Sequence, residues 1–299
     1  MHEHAAIHAV IVDLIRHASV EMNVQDVRHL EASQLFLNAG RRVYVSHLPR
    51  QSWDDTIATC RSVRSAGYEP IPHIPARLLT DEQAFDELLA RMADAGVCET
   101  LLLAGDYAQA AGPYHSTSEL LRAGGFAKYG FHRVSIAGHP EGHPIVADEA
   151  LRRAECERVA IAGQCGIAVK FVTQFFFEAA PFMHWVAQLR AQGVRAPVIA
   201  GLAGPASLTT LFKFALRCGA GPSIRALGAR PNVISKLLGE HGPESVVIAL
   251  ARARASGAGD FDGIHLFSFG GFLRTCRWLH AVGQGRFALK HDSFEVSGA

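Results

Sequence analysis

At its centre the sequence reads Lys170-Phe171-Val172-Thr173-Gln174-Phe175-Phe176-Phe177-Glu178, a short run of β-branched and aromatic residues that contains one amide. Such a run predicts a fully buried strand. A buried amide must find hydrogen-bond partners or cost roughly 1–3 kcal/mol. Gln174 is therefore either satisfied by the fold or held ready for a ligand.

Helical and strand-like patterns alternate on both sides of this run, which indicates a parallel sheet wrapped by helices. We predict eight strands, at residues 18–22, 42–47, 69–74, 99–104, 133–137, 170–178, 195–201 and 263–268. This α/β pattern favours a (β/α)8 TIM barrel with an extra N-terminal helix and an insert before the last strand. A doubly wound open sheet is the alternative, but no G-x-G-x-x-G follows the first strand. We expect one domain over residues 1–299.

Composition narrows the classes of function. The formal net charge is +1, with 29 Lys+Arg against 28 Asp+Glu, so the basic footprint of a nucleic-acid binder is missing. No stretch approaches the ~20 apolar residues that span a bilayer. The N-terminus lacks the basic region of a signal peptide, and the six cysteines show no CxxC or zinc spacing. We expect a cytoplasmic protein that binds neither nucleic acid nor membrane.

Polar side chains recur where the predicted strands end. They are Glu21, Ser46, His47, His73, Asp106, His139, His143, Gln174 and Ser268. In a (β/α)8 barrel these ends share one face, where the chemistry of the fold takes place. Each residue alone has a structural explanation, such as a solvated carboxylate for Glu21 or a packed histidine for His73. Because all of these residues stand at strand ends, and so at one face of the barrel, the pattern favours a functional site.

Two other kinds of site are disfavoured. His139 and His143 have an i, i+4 spacing, but Pro140 and Gly142 exclude the helix on which that spacing would place two metal ligands together. We therefore expect no metal. A Ser-His-Asp hydrolase would need a nucleophile elbow, and the sequence has no G-x-S-x-G.

Two motifs resemble the methylenetetrahydrofolate reductase family, in its bacterial catalytic-domain form. They are Thr173-Gln174-Phe175-Phe176-Phe177 and Gly138-His139-Pro140-Glu141-Gly142-His143-Pro144, preceded by Pro72-His73 and Ala104-Gly105-Asp106. The similarity runs from about Ser19 to Trp278. It implies an FAD-containing barrel that takes hydride from NADH or NADPH. Flavin N5 then passes the hydride to 5,10-methylenetetrahydrofolate, giving the 5-methyltetrahydrofolate used in methionine biosynthesis. The resemblance also implies a homo-oligomer.

The resemblance assigns roles to individual residues. Glu21 is implied as the general acid, Asp106 as the carboxylate beside the flavin, and Gln174 as a contact of the folate pterin. The implied FAD contacts are His73, Tyr114, His139 and His143, with Ser46 or His47, and Arg152 or Arg153 near the phosphates. Leu208 and Phe267 stand at the implied substrate positions.

These residue types suit the implied chemistry. Opening the five-membered ring of the folate needs a proton on a nitrogen leaving group. A glutamate can supply it near neutral pH only if its pKa rises from ~4.3 to about 7, which costs roughly 3.7 kcal/mol and requires burial. A carboxylate such as Asp106 would disfavour negative charge on a reduced flavin. An amide such as Gln174 can donate and accept at a pterin edge.

The sequence departs from the family pattern at several positions. His139 stands where the family has tyrosine, Leu208 where it has an aromatic residue, and Phe267-Ser268-Phe269-Gly270-Gly271 where Tyr-Thr-Leu-Asn-Arg is common. Two alternatives therefore stay open. One is a related flavin barrel acting on another one-carbon or pterin substrate. The other is a folate- or flavin-binding subunit without turnover.

Overall fold

The computed structural model describes residues 2–48, 50–143, 146–218 and 240–297. Its eight central strands are β1 (Ser19–Met22), β2 (Arg42–Val45), β3 (Glu69–Pro75), β4 (Glu99–Leu103), β5 (Arg133–Gly138), β6 (Ala168–Thr173), β7 (Val198–Ala203) and β8 (Gly263–Phe267). All are parallel, and pairing of β1 with both β2 and β8 closes the barrel. The predicted (β/α)8 TIM barrel is confirmed.

Helices surround this barrel. They are α1 (His2–Arg16), α2 (Leu30–Ser33), α3 (Trp53–Ser65), α4 (Glu82–Asp94), α5 (Thr117–Ala123), α6 (Asp148–Gln164), α7 (Ala179–Ala191), α8 (Leu208–Cys218), α9 (Glu244–Ala255) and α10 (Phe272–Gly283). Side chains of Ser52, Asp81 and Ser116 accept the first free backbone N–H groups of α3, α4 and α5. None of the helices in the described ranges is long and apolar enough to cross a bilayer.

The extra N-terminal helix is also confirmed. α1 packs against α9 and α10 on the outside of the barrel, with Ile11 and Ile15 fully buried in the contact. The Nε of Arg16 donates to the carbonyl of Gly283 at 2.8 Å. The strand pair that closes the barrel, β1 and β8, is therefore covered by a helix from the start of the chain.

Side chains along each strand point alternately outward and inward, so the protein has one apolar core outside the barrel and another inside it. Outward residues such as Val20, Val43 and Ile264 join the large cluster beneath the helices. The barrel interior holds a small apolar layer of Tyr44, Ile71, Leu101, Val172 and Ile199. Because strand residues i and i+2 share one face, the same alternation directs Glu21, His73, Gln174 and Phe267 towards the mouth at the carboxyl ends.

The structure corrects the predicted limits of the central strand. β6 begins at Ala168 and ends at Thr173, so Gln174 follows the strand and is half-buried. Pairing with β5 stops at Gly138 opposite Thr173, because the neighbouring chain then turns into its proline-containing loop. Phe175, Phe176 and Phe177 therefore leave the sheet despite their high strand propensity.

Two smaller differences complete the fold. The seventh strand starts at Val198, later than predicted, because Pro197 has no N–H to donate and contributes only its carbonyl, to Phe171 N–H at 2.8 Å. A C-terminal hairpin pairs Phe287–Leu289 with Phe294–Val296, which the sequence did not predict. The insert expected before β8 contains α8 and α9, and its residues 219–239 lie outside the described part of the chain.

Candidate active site

Glu21 and His73 meet at the mouth of the barrel. The Oε2 of Glu21 lies 3.5 Å from the Nε2 of His73. Burial, reinforced by the negative charge of Asp26, raises the pKa of Glu21 to about 8. Burial and the neighbouring His47 lower the pKa of His73 to about 3. At neutral pH the contact is therefore a protonated carboxyl facing a neutral imidazole, not an ion pair.

The loop after β2 lies next to this pair. Ser46 Oγ donates to the carbonyl of Met22 at 3.1 Å, which joins the end of β2 to that of β1. The Nδ1 of His47 is 2.8 Å from the hydroxyl of Thr56, and its ring stacks on Trp53 with centroids 4.1 Å apart. Burial lowers the pKa of His47 to about 4, so this ring is also neutral at pH 7.

A second group forms where β4 and β5 end. The rings of His139 and His143 meet edge to face, with centroids 5.4 Å apart. Burial, followed by the positive charge of Arg158, lowers the pKa of His139 to about 3. Partial burial lowers the pKa of His143, and the carboxylate of Asp106 opposes that shift. Asp106 is exposed, so the structure places its charge at the solvent side of this group. Nowhere in the described ranges do three His, Cys, Asp or Glu side chains gather as metal ligands would.

The two candidate arginines on α6 differ in position. Arg152 donates from Nη2 to the carbonyl of His139 at 2.9 Å and pairs with Glu155 Oε2 at 2.9 Å. Arg153 instead pairs with Glu149 on the solvent-exposed side of the helix. Of the two, only Arg152 lies beside the loop that follows β5 and contains His139 and His143, which we call the His139 loop.

A buried carboxylate supports that loop. Glu155 has no exposed surface and accepts from Trp185 Nε1 at 3.1 Å and from the backbone N–H of His139 at 3.4 Å. Burial raises the pKa of Glu155 to about 7, although Arg152 and Arg158 oppose the shift. The guanidinium groups of Arg152 and Arg158 thus both lie close to this one carboxylate.

Other predicted residues are more scattered. Gln174 Oε1 accepts from the adjacent Phe175 N–H at 3.2 Å, so the fold partly satisfies this amide. Tyr114 is buried against Phe85 of α4, with ring centroids 5.8 Å apart, in the layer between barrel and helix. The described contacts of Tyr114 do not include the Glu21–His73 pair. Leu208 and Phe267 both adjoin Phe269 at the β7–β8 side of the mouth.

The barrel floor holds polar residues that the sequence analysis missed. Lys170 pairs with Glu99 Oε1 at 2.5 Å, and Ser135 Oγ donates to the same oxygen at 2.8 Å. The hydroxyl of Tyr44 lies 3.1 Å from Ser135 Oγ. Nearer the mouth, His265 Nδ1 lies 2.9 Å from Ser19 Oγ. The inward positions of alternating strands could have pointed to these residues.

Buried polar atoms test whether a flavin fits the mouth. His73 Nε2, His139 Nδ1 and the Tyr114 hydroxyl are buried and make no hydrogen bond within the described residues. Buried polar groups normally find partners, so such atoms are available to a bound ligand. Together with the positive charge at Arg152 and Arg158, the two histidines fit a polar ring system that carries phosphates.

A family model described as methylenetetrahydrofolate reductase matches residues 51–221, more than half of the chain. The matched range includes His73, Asp106, His139 and Gln174, while Glu21 and Phe267 lie outside it. The protein named methylenetetrahydrofolate reductase 2 of Saccharomyces cerevisiae is 26% identical over 156 residues, covering 50% of this chain and 25% of that protein. The alignment thus spans about a quarter of that relative's length.

Two solved structures of dihydropteroate synthase from Thermus thermophilus are also similar. FolP has a TM-score of 0.45 and 11% identity, covering 90% of this chain and 94% of its own. The complex with 6HMPPP has the same score and identity, covering 88% and 92%. A likeness at this level carries no argument about function.

Proposed function

The chain belongs to the methylenetetrahydrofolate reductase family, and on that premise we propose that it reduces 5,10-methylenetetrahydrofolate to 5-methyltetrahydrofolate with FAD and NAD(P)H. The observation that carries the proposal is the Glu21 carboxyl, which the barrel mouth keeps protonated at neutral pH beside a neutral His73. A reductase needs such a proton donor, whereas a binding protein does not.

Glu21 would protonate the folate nitrogen that leaves when the five-membered ring opens, which produces an iminium carbon. The chemistry that FAD would supply when bound is hydride transfer from NAD(P)H to that carbon. His73, being neutral, would not draw the proton away from the Glu21 carboxyl, which lies 3.5 Å from it. Gln174, at the opposite side of the mouth, would hold the pterin edge through its amide.

The cofactor would contact the two groups of histidines at the mouth. His73 and His139 would offer their buried ring nitrogens to the flavin, with His47 and Ser46 behind His73 and His143 beside His139. Arg152 would meet the phosphates, because it is the candidate arginine whose guanidinium lies beside the His139 loop. Asp106, near His143, would disfavour negative charge on the reduced ring.

A related flavin barrel with a different one-carbon or pterin substrate is the second candidate. It is favoured by Phe267-Ser268-Phe269-Gly270-Gly271, which replaces the family's common sequence after the last strand and lines the mouth. Such a protein would keep the Glu21 acid and the histidine groups but would not turn over methylenetetrahydrofolate.

The test separates the two half-reactions in a Glu21→Gln variant. With the acid removed, we expect reduction by NAD(P)H to stay within about twofold of wild type, while folate reduction falls by roughly 10²–10⁴-fold. Rapid mixing under anaerobic conditions measures both rates. Glu69→Gln is the matched control, because Glu69 is exposed at the opposite end of the barrel. Unchanged folate reduction in Glu21→Gln would remove Glu21 from the mechanism.

A further inference from the structure

The turn after β8 contains Phe269 in a backbone conformation that phenylalanine rarely adopts. Gly271 N–H donates to the carbonyl of Ser268 at 2.8 Å, and the two residues between have positive φ, +47° at Phe269 and +80° at Gly270. Two consecutive positive φ values closed by this bond are typical of a type I′ turn, where Asn, Asp and Gly are preferred. Phenylalanine is strained there. The turn itself therefore does not explain Phe269.

The contacts of the Phe269 ring explain why a phenylalanine stands at this position. It stacks on Phe214 of α8 with centroids 4.4 Å apart and meets Phe175 edge to face at 5.1 Å. Phe267 lies parallel to it at 6.1 Å. We call Phe175, Phe177, Phe214, Phe267 and Phe269 the aromatic wall. Phe175 is buried, whereas Phe214, Phe267 and Phe269 keep part of their surface exposed.

The aromatic wall borders the mouth next to the candidate acid. β8 pairs with β1 at His265 opposite Ser19 and at Leu266 opposite Val20, and Phe267 and Glu21 are the next residues on these two neighbouring strands. On the other side, Gln174 directly precedes Phe175 of the wall. Gly201 leaves room for the Thr173 carbonyl and for Phe267, because a Cβ at Gly201 would come 2.0 Å from that carbonyl oxygen and 2.8 Å from the ring.

We propose that Phe269 is a substrate-binding residue, whose ring completes the aromatic wall against which the fused pterin ring of the folate stacks. The inference rests on the proposed function, because it takes the folate as the substrate. Partly exposed aromatic faces bind flat heterocycles by offset stacking.

The variants Phe269→Asn and Phe269→Gly test this without disturbing the turn, since both residues accept positive φ. We expect the KM for methylenetetrahydrofolate to rise about tenfold or more, with flavin reduction by NAD(P)H within about twofold of wild type. Phe269→Tyr, which keeps the ring, should retain the wild-type KM. Phe212→Ala is the matched control, because Phe212 is an exposed phenylalanine of α8 outside the wall.

Direct binding of 5-methyltetrahydrofolate, followed by calorimetry, separates this inference from the proposed function. If wild type binds the folate but shows no flavin reaction, and Phe269→Asn loses the binding, the inference stands while the proposed function fails. Turnover in wild type with an unchanged KM and binding in Phe269→Asn would overturn the inference alone. Equal weakening of the NAD(P)H step would also overturn it, because Phe269 would then serve the general shape of the mouth. Failure of wild type to bind the folate would overturn both.

Discussion

The protonated state of Glu21 has a thermodynamic cost. In the unfolded chain this carboxyl is ionised at pH 7, whereas burial raises its folded pKa to about 8. The folded state must therefore take up a proton, at a cost on the order of 3 kcal/mol at pH 7. Because the folded pKa is the higher one, the cost is absent below the unfolded pKa and grows as pH rises towards 8. Such a loss of stability is expected of a group kept for reaction.

The pKa of Glu21 predicts a pH dependence for the folate half-reaction. The rate should be constant below about pH 7 and should fall as pH rises through about 8, because the acid then loses its proton. Anaerobic reoxidation of the reduced enzyme by methylenetetrahydrofolate, measured across this range, checks it. In Glu21→Gln the residual rate should lack this decline. A decline already complete near pH 5 would contradict the proposed state of Glu21.

Some residues of the candidate site can be predicted from the sequence, and others cannot. Glu21, His73 and His139 stand at predicted strand ends, where the barrel rule places the chemistry. Glu155 lies in a helix rich in charged residues and looks like a solvated side chain, and only its contact with Trp185 of the next helix shows that it is buried. Phe269 cannot be found either, because its positive φ arises from the turn between β8 and α10.

Three elements meet at Glu155. This carboxylate belongs to α6 and accepts from Trp185 of α7 and from the backbone N–H that follows β5. Gly138 is part of the same junction, because a Cβ at that position would come within 2.6 Å of the Trp185 ring. The start of the His139 loop is thus held by close packing between β5, α6 and α7. This packing fixes the side of the mouth where we place the cofactor.

Removal of the Glu155 carboxylate should destabilise the fold. Glu155→Ala leaves Arg152 and Arg158 without their buried counter-charge, and we expect a loss of about 3–5 kcal/mol in the free energy of unfolding. Glu155→Gln keeps an acceptor for Trp185 and should cost less, about 1–3 kcal/mol. Urea unfolding followed by circular dichroism measures both.

Glu157→Ala is the control for Glu155→Ala. Glu157 belongs to the same helix and pairs with Arg122 at the surface, where a single ion pair contributes about 0–1 kcal/mol. Equal losses in Glu155→Ala and Glu157→Ala would show that the buried cluster is not a structural joint.

The limits of the elements were harder to predict than their existence. Val172 and Phe175 have similar strand propensities, yet β6 ends between them because β5 offers no partner beyond Gly138. Propensity describes the residue, whereas pairing depends on the neighbouring strand. The C-terminal hairpin was not predicted for a related reason. Phe287 packs against Phe294 and against α1, and these contacts between distant parts of the chain leave no local sequence pattern.

At the scale of the whole molecule, alternation of strands and helices was sufficient to predict the barrel. The closed β1–β8 pairing brings residues 246 positions apart, Ser19 and His265, into hydrogen-bond contact. No local pattern encodes that contact, but the barrel topology requires it. The same closure places Glu21 next to the aromatic wall and across the mouth from the His139 group. The Glu21 carboxyl, the aromatic wall and the His139 group therefore share one opening.

The measurement that tests this arrangement most directly is an anaerobic absorbance titration of the protein with FAD. NADH or NADPH is then added, followed by methylenetetrahydrofolate. A flavin reductase for this folate should show a bound flavin spectrum that bleaches with the nicotinamide and returns with the folate. A flavin that bleaches and is not reoxidised by methylenetetrahydrofolate would contradict the substrate. Failure of added FAD to bind at all would contradict the proposal that this barrel is a flavin-dependent reductase.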